Sequence, residues 1–305
     1  MNNKKLDKET KIAVLAGGMS EEREVSLESG GMIRDALVNG GYRKVSFVDA
    51  GFDLDKKLRE LSPDVVVNGL HGTYGEDGIV QGLLEMLRIP YTGSGVTASA
   101  VGMDKIISRA IMKDAGIKMA EGLVLKIKDD LLPPFDFPLV LKDPVNGSSK
   151  GVYIIKSLEE WNSTVKTLKK DVLFLCEKYF KGREINVAVL GGEVLGDVEI
   201  IPANEFYDYE SKYLSDKTKY IVDPDYSEDI AREIWQASLR IHSILGCKGV
   251  TRSDFMVSDT DYVMLEINTL PGMTSHSLVP MIAEKRGISY LRLVEMVIEE
   301  ALRDE

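Results

Sequence analysis

Short apolar runs that end in glycine, proline or asparagine alternate along the chain with segments whose apolar residues recur at helical spacing. Lys11-Ile12-Ala13-Val14-Leu15-Ala16 is apolar after its first residue and stops at Gly17-Gly18, which predicts a buried strand and a turn. Spacing then becomes helical from Glu24 to Leu37 and ends at Asn39-Gly40-Gly41. Val45-Ser46-Phe47-Val48 and Asp64-Val65-Val66-Val67-Asn68 repeat the strand signal, with helical segments between and after them. Strand, helix, strand in this order predicts an open parallel α/β layer.

The pattern changes from Met103 to Phe180, where a helix is followed by strands broken at Pro133-Pro134, Pro138 and Pro144. Leu139–Lys142 and Val152–Ile155 read as two strands around a loop of Gly, Ser and Asn with Lys142 and Lys150 at its ends. Such a loop can present backbone N–H groups to phosphates, and equally reads as a solvated hairpin. Leu173 to Phe180 is strand-like and runs into Lys181-Gly182-Arg183-Glu184, a bend that can face a purine. Ile185 to Leu190 and Glu193 to Ile200 predict strands, and Ser227 to Leu245 and Tyr290 to Leu302 predict helices, completing a further mixed layer. The expected division is a mobile polar leader over 1–10, an α/β region over 11–102, a central region over 103–180 and a C-terminal region over 181–305.

Composition narrows the options. With 305 residues the chain is long enough for more than one core, and 44% apolar residues is ordinary for a globular protein. A net charge of −11 disfavours non-specific contact with nucleic acid or anionic membrane, so an anionic ligand needs a local set of lysines and N–H groups. Cys176 and Cys247 are too few for a disulfide framework. No signal-peptide core and no membrane-spanning apolar run is present in the sequence, so a cytoplasmic location is expected.

The chemistry concentrates near the C-terminus. Tyr262 to Asn268 alternates like a strand, which places Glu266 and Asn268 on one face, within reach of one cation. Arg252 and Asp254, two apart in another strand-like run, put a guanidinium beside a further oxygen ligand. Oxygen donors of this kind suit Mg²⁺ carried on nucleotide phosphates, and the neighbouring guanidinium suits phosphate or carboxylate charge. Each residue alone reads as well as an edge-strand polar position, but the combination favours the metal-assisted reading. Near the N-terminus, Gly17-Gly18-Met19-Ser20-Glu21-Glu22 lacks the third glycine of a dinucleotide loop, and its carboxylates would repel a pyrophosphate. They suit an ammonium group, or simply the positive end of a helix.

Glu22-Arg23-Glu24-Val25-Ser26-Leu27, Leu70-His71-Gly72 with Gly75-Glu76-Asp77-Gly78, Pro90 to Gly95, Met103-Asp104-Lys105, Phe206 to Tyr213 and the Asn268 to Pro280 run occur in one order. Together they resemble the ATP-grasp superfamily and, within it, the D-alanine:D-alanine ligases, from Lys11 to near the C-terminus. The resemblance implies an α/β ATP-grasp fold with an N-terminal open parallel α/β domain. The implied activity is ATP-dependent joining of two D-alanines through an acyl phosphate, releasing ADP and phosphate, for peptidoglycan precursors. It also implies ATP and Mg²⁺, with Mn²⁺ as a substitute and two ions in the site, and a homodimer.

Carried over by position, the resemblance implies Lys105 and Lys142 on the phosphates and Ser149 and Lys212 also at the nucleotide. Glu177, Lys178, Tyr179 and Phe180 would hold adenine, Glu184 the ribose, and Asp254, Glu266 and Asn268 the metal. Glu22 would meet the first D-alanine's ammonium with His71 nearby, and Ser277 and Leu278 would lie near the second. Glu22, Ser148 and Tyr213 would form a hydrogen-bonded link across three segments, while Arg252 and the Gly272 N–H would hold the tetrahedral oxyanion. Two residues depart from the family pattern: Asp143 stands between Lys142 and Pro144, and Leu270 is bulkier than expected beside Asn268. A ligase of the same fold that joins D-alanine to D-lactate or another D-amino acid is the alternative, and Tyr213 speaks against it. A nucleotide-binding regulator without catalysis fits less well, because both lysines, Arg252 and every expected metal ligand are present.

Overall fold

The computed structural model describes residues 5–145, 151–202 and 218–303. Strands β1 (Lys11–Ala16), β2 (Lys44–Asp49) and β3 (Val65–Asn68) form a parallel sheet in the order β2-β1-β3. β1 is buried on both faces because it is the middle strand, which explains why its sequence is continuously apolar rather than alternating. Helix α1 (Arg23–Asn39) lays Ile33 and Leu37 onto this sheet. Gly30 permits the close approach: a Cβ there would stand 2.4 Å from the Cβ of Ala16. Helices α2 (Leu54–Leu61) and α3 (Ile79–Leu87) cover the other face through Leu54, Leu58, Val80 and Leu84.

Helices α4 (Val96–Met103) and α5 (Lys105–Asp114) lead to a second, antiparallel sheet. Its strands are β4 (Gly122–Lys126), β5 (Leu139–Lys142), β6 (Val152–Ile155) and β7 (Leu173–Lys178), in the order β4-β7-β5-β6. Helix α6 (Leu158–Thr167), which periodicity did not single out, seats Trp161 and Val165 in that sheet's core. Ser157 caps it, accepting from the Glu160 N–H at 3.2 Å.

A third sheet has the order β10-β9-β8-β11-β12. It comprises β8 (Arg183–Leu190), β9 (Glu193–Ile201), β10 (Lys219–Val222), β11 (Val250–Val257) and β12 (Tyr262–Asn268), all antiparallel. Helix α7 (Glu228–Ile244) packs on one face with Ile185, Val187, Phe255 and Met264. Helix α8 (Leu278–Lys285) packs on the other with Ala188, Val198 and Val250. The β10 and α8 segments, four and eight residues long, were not predicted because each is too short to establish a period.

Helix α9 (Tyr290–Arg303) corrects one expectation. It does not serve the third layer alone: Leu293 and Val297 pack with α8, whereas Val294, Ile298 and Leu302 close the first sheet against Ile12 and Val14. The expected mobile leader is also tied down over residues 7–10. Thr10 is buried, its N–H donates to the Asp7 carbonyl, and Lys8 lies 3.4 Å from Glu295 on α9. Among the described residues no helix is long and apolar enough to cross a membrane.

Cys176 and Cys247 are both buried and free. Burial pushes the Cys176 thiol up to about 12, with the Glu177 carboxylate adding to the effect, and raises Cys247 to about 11. Almost no thiolate therefore exists at pH 8. A thiol-disulfide exchange reagent at that pH should leave both cysteines unreacted in the folded protein and titrate both after denaturation; rapid reaction of either in the native state would contradict this packing.

Candidate functional site

A cleft opens where the first and third sheets meet. It is lined by Glu22 and His71 from the first, Lys105 from the start of α5, and Glu184, Arg252, Glu266 and Asn268 from the third. Gly272, Ser277 and Leu278 line it as well.

The strand register assembles the charged floor. Arg252 on β11 stands opposite Asn268 on β12, and Asp254 opposite Glu266, so the four form two adjacent rows on one sheet face. A register shift after Asp254 then pairs Phe255 with Met264, leaving Leu265 as an extra residue. Simple alternation would have put Met264 and Glu266 on the same face. The bulge sends Met264 into the core beneath α7 and keeps Glu266 on the cleft side.

Asp254 is buried and takes both branches of Arg252, Nε to Oδ1 at 2.7 Å and Nη2 to Oδ2 at 2.8 Å. Lys105 Nζ lies 3.4 Å from Glu266 Oε2. The Asn268 Oδ1 accepts from the Leu270 N–H at 2.9 Å, which fixes the carboxamide as β12 ends. Leu270 itself turns into a separate apolar cavity with Val294 and Val297. Its bulk is thus accommodated away from the donor row.

Two carboxylates and an amide oxygen are hard donors, too few to enclose a cation by themselves. Among the described residues no cluster of three His, Cys, Asp or Glu is present. Such an open set fits Mg²⁺ that arrives with phosphate oxygens filling its remaining positions.

At the first-sheet side, Glu22 precedes α1 and its Oε2 lies so close to Gly72 that a Cβ at Gly72 would be 2.6 Å away. The loop before it is held by Asp49, which pairs with Arg23 at 2.6 Å and accepts from the Gly18 N–H at 3.3 Å. The Arg23 hydrogen bond holds the Asp49 carboxyl low, at about 2. His71 is buried between Ser29, with Nε2 3.0 Å from Oγ, and Glu76, with Nδ1 3.2 Å from Oε1. Ser29 and Glu76 carry the orientation of His71; Ser29 was not singled out by sequence pattern, and the Gly75 to Gly78 motif that contains Glu76 gave it no role.

The Gly272 turn is equally constrained. A Cβ at position 272 would meet Ser277 Oγ at 2.8 Å, and that hydroxyl is fixed by the Thr274 N–H at 2.9 Å. Ser277 and Leu278 stand at the start of α8.

Lys142 and Glu177 to Phe180 are not brought into this cleft; they belong to the second sheet and the bend after it. Lys142 Nζ lies 2.6 Å from Glu177 Oε2, and Arg109 on α5 binds the other oxygen of Glu177 and the Ala120 carbonyl. Glu177 is therefore a buried anion between two cations, and its carboxylate is already committed. Arg109 was not anticipated because a helix surface arginine has no distinguishing spacing. Lys178 points to Glu121. Asp143 does not compete for Lys142: its Oδ1 accepts from the Val145 N–H at 3.1 Å. Ser148, Ser149, Lys212 and Tyr213 lie outside the described residues.

Residues 111–299 match the family model described as D-ala D-ala ligase C-terminus, and residues 43–94 match D-ala D-ala ligase N-terminus. The chain belongs to the D-alanine–D-alanine ligase family. It is 46% identical over 303 residues to the D-alanine–D-alanine ligase of Anaeromyxobacter sp. (strain Fw109-5), covering 95% of this chain and 96% of that one. Identity to the Geobacter sulfurreducens ligase is 44% over 300 residues, covering 96% and 95%. Among solved structures, the Bacillus anthracis D-alanine–D-alanine ligase complexed with ATP superposes with a TM-score of 0.83 at 36% identity, covering 97% of this chain and 98% of that one. The architecture is the ATP-grasp fold of that family.

Glu177 supplies a stability test. Glu177→Gln would leave Lys142 and Arg109 facing a neutral amide in a buried setting, with an expected loss of about 3 kcal/mol in unfolding free energy. Urea unfolding measures it, and a loss near zero would show that solvent reaches this cluster.

Proposed function

We propose that this cleft joins two D-alanines into D-alanyl-D-alanine with ATP as the energy source, forming ADP and phosphate. The arrangement that carries the reading is the floor of Arg252, Glu266 and Asn268, with buried Asp254 paired to Arg252, facing Glu22 and His71 across one cleft. It is supported by the family and by likeness to a ligase complexed with ATP.

A carboxylate resists attack by an amine, so its oxygen must first displace ADP from the γ-phosphoryl group and become an acyl phosphate. Lys105 beside Glu266 and the Arg252 guanidinium provide positive charge where phosphoryl charge gathers. Lys142, held by Glu177, would add to it as the second sheet approaches the cleft. Glu22 would hold the first substrate's ammonium, and His71, oriented by Ser29 and Glu76, would pack against the same end. Glu184 would take the ribose, and the bend Glu177 to Phe180 the adenine, there through backbone groups since the Glu177 side chain is occupied.

The second D-alanine would set its carboxylate at the start of α8 near Ser277 and Leu278, where N–H groups point outward. Its neutral amine attacks the acyl carbon, the resulting oxyanion meets Arg252 and the Gly272 N–H, the amine proton passes to a phosphate oxygen, and phosphate leaves with the original carboxylate oxygen. Asp254, Glu266 and Asn268 would hold Mg²⁺, which when bound neutralises phosphate charge. Ser148 and Tyr213 complete the family's closing link with Glu22 in this reading. A cytoplasmic site, where ATP is plentiful, and a homodimer belong to it as well.

Purified protein given ATP, Mg²⁺ and D-alanine should yield ADP, phosphate and D-alanyl-D-alanine in equal amounts by mass spectrometry and coupled assay. Formation of AMP, or equal turnover with L-alanine, would remove the proposal. Asn268→Ala should lower turnover about 100-fold with little change in the unfolding midpoint; full activity in the folded variant would return Asn268 to a purely structural role.

A further inference from the structure

Asn186 is the most deeply placed polar residue of the cleft without a function so far. It is fully buried on β8, it lines the cleft, and neither its Oδ1 nor its Nδ2 has a hydrogen-bond partner among the described residues. An amide left so is less favourable than an apolar side chain of the same size, which suggests a partner in another state of the site.

The sheet limits which partner that is. Across β9 the facing residue is Val198, and the same-face neighbours along β8 are Ala188 and Glu184; Val198 and Ala188 cannot accept or donate through their side chains, and Glu184 is the residue the proposed reaction gives to the ribose. Across β11 the facing residue is Asp254. Directly opposed side chains in antiparallel strands start roughly 5 Å apart at Cβ, within reach of a carboxamide. In this structure both Asp254 oxygens are taken by Arg252.

We propose that Asn186 is a positioning residue for Asp254, donating from Nδ2 to the carboxylate when a divalent cation carried by a nucleotide draws Asp254 away from Arg252. A cation held through one carboxylate oxygen leaves the other in need of a donor, and a buried carboxylate oxygen without one is unfavourable. The exchange also frees the guanidinium of Arg252 for substrate charge. The inference rests on reading the cleft as a Mg²⁺–nucleotide site, and it adds a residue outside the coordinating set that fixes a ligand's orientation.

Binding of Mn²⁺ with a non-hydrolysable ATP analogue, followed by loss of the free-ion electron paramagnetic resonance signal, tests it on the full chain. Asn186→Leu and Asn186→Ala are compared with the unaltered protein, the second in case leucine overfills the site. Expected is a loss of about 10-fold to 100-fold in Mn²⁺ affinity, with metal-free analogue affinity unchanged. The unliganded melting temperature of at least one variant should equal or exceed that of the unaltered protein, because an unsatisfied amide has been removed. Unchanged Mn²⁺ affinity in a folded variant, or an equal loss of metal-free binding, would overturn the role of Asn186 alone. Failure of the unaltered protein to bind Mn²⁺ with the analogue would instead bring down the reading of the cleft and this inference with it.

Discussion

One extra residue in β12 determines which way the site faces. Strands β8, β11 and β12 hold a strict register through Asp254, so that Asn186, Asp254 and Glu266 make one row and Ala188, Arg252 and Asn268 the next. Past Asp254 the ladder slips, Leu265 is left over, and the parity of β12 reverses. Without that slip a strand with Met264 in the core would also bury Glu266 there. The bulge lets one short strand feed an apolar core under α7 and a carboxylate row above it, which is a common use of bulges beside functional clefts.

The charges on that face are arranged before any ligand arrives. Asp254 and Arg252 neutralise each other, Glu266 lies near Lys105, and Lys142 and Arg109 share Glu177. Burying isolated charges would be prohibitive, whereas pairs can be held ready and exchanged for a phosphate or a cation of matching sign. The net charge of −11 makes such local cationic points necessary for an anionic nucleotide.

Much of this was legible in the chain itself. The continuous apolar run of β1 gave a buried strand of a parallel layer, and the spacing of Arg252 with Asp254 and of Glu266 with Asn268 gave the correct faces. What was not legible depends on contacts distant in sequence. No local pattern marks Leu265 as a bulge, Arg109 as a partner of Glu177, or Glu76 as the orienter of His71. The amphipathic pattern of α9 was clear, but which sheet each stripe covers follows only from the assembled layers. The polar N-terminal residues looked untethered because their partners, Arg43 and Glu295, lie far along the chain.

The central claim is that the bulge-set register presents Asp254, Glu266 and Asn268 to a cation bound with nucleotide. Anomalous diffraction from crystals grown with Mn²⁺ and a non-hydrolysable ATP analogue tests it most directly. The account predicts an anomalous peak coordinated by oxygens of these three residues and of the phosphates, with Asp254 no longer gripped at both oxygens by Arg252. Nucleotide bound with its cation away from this row, and the Arg252–Asp254 pair intact, would contradict it.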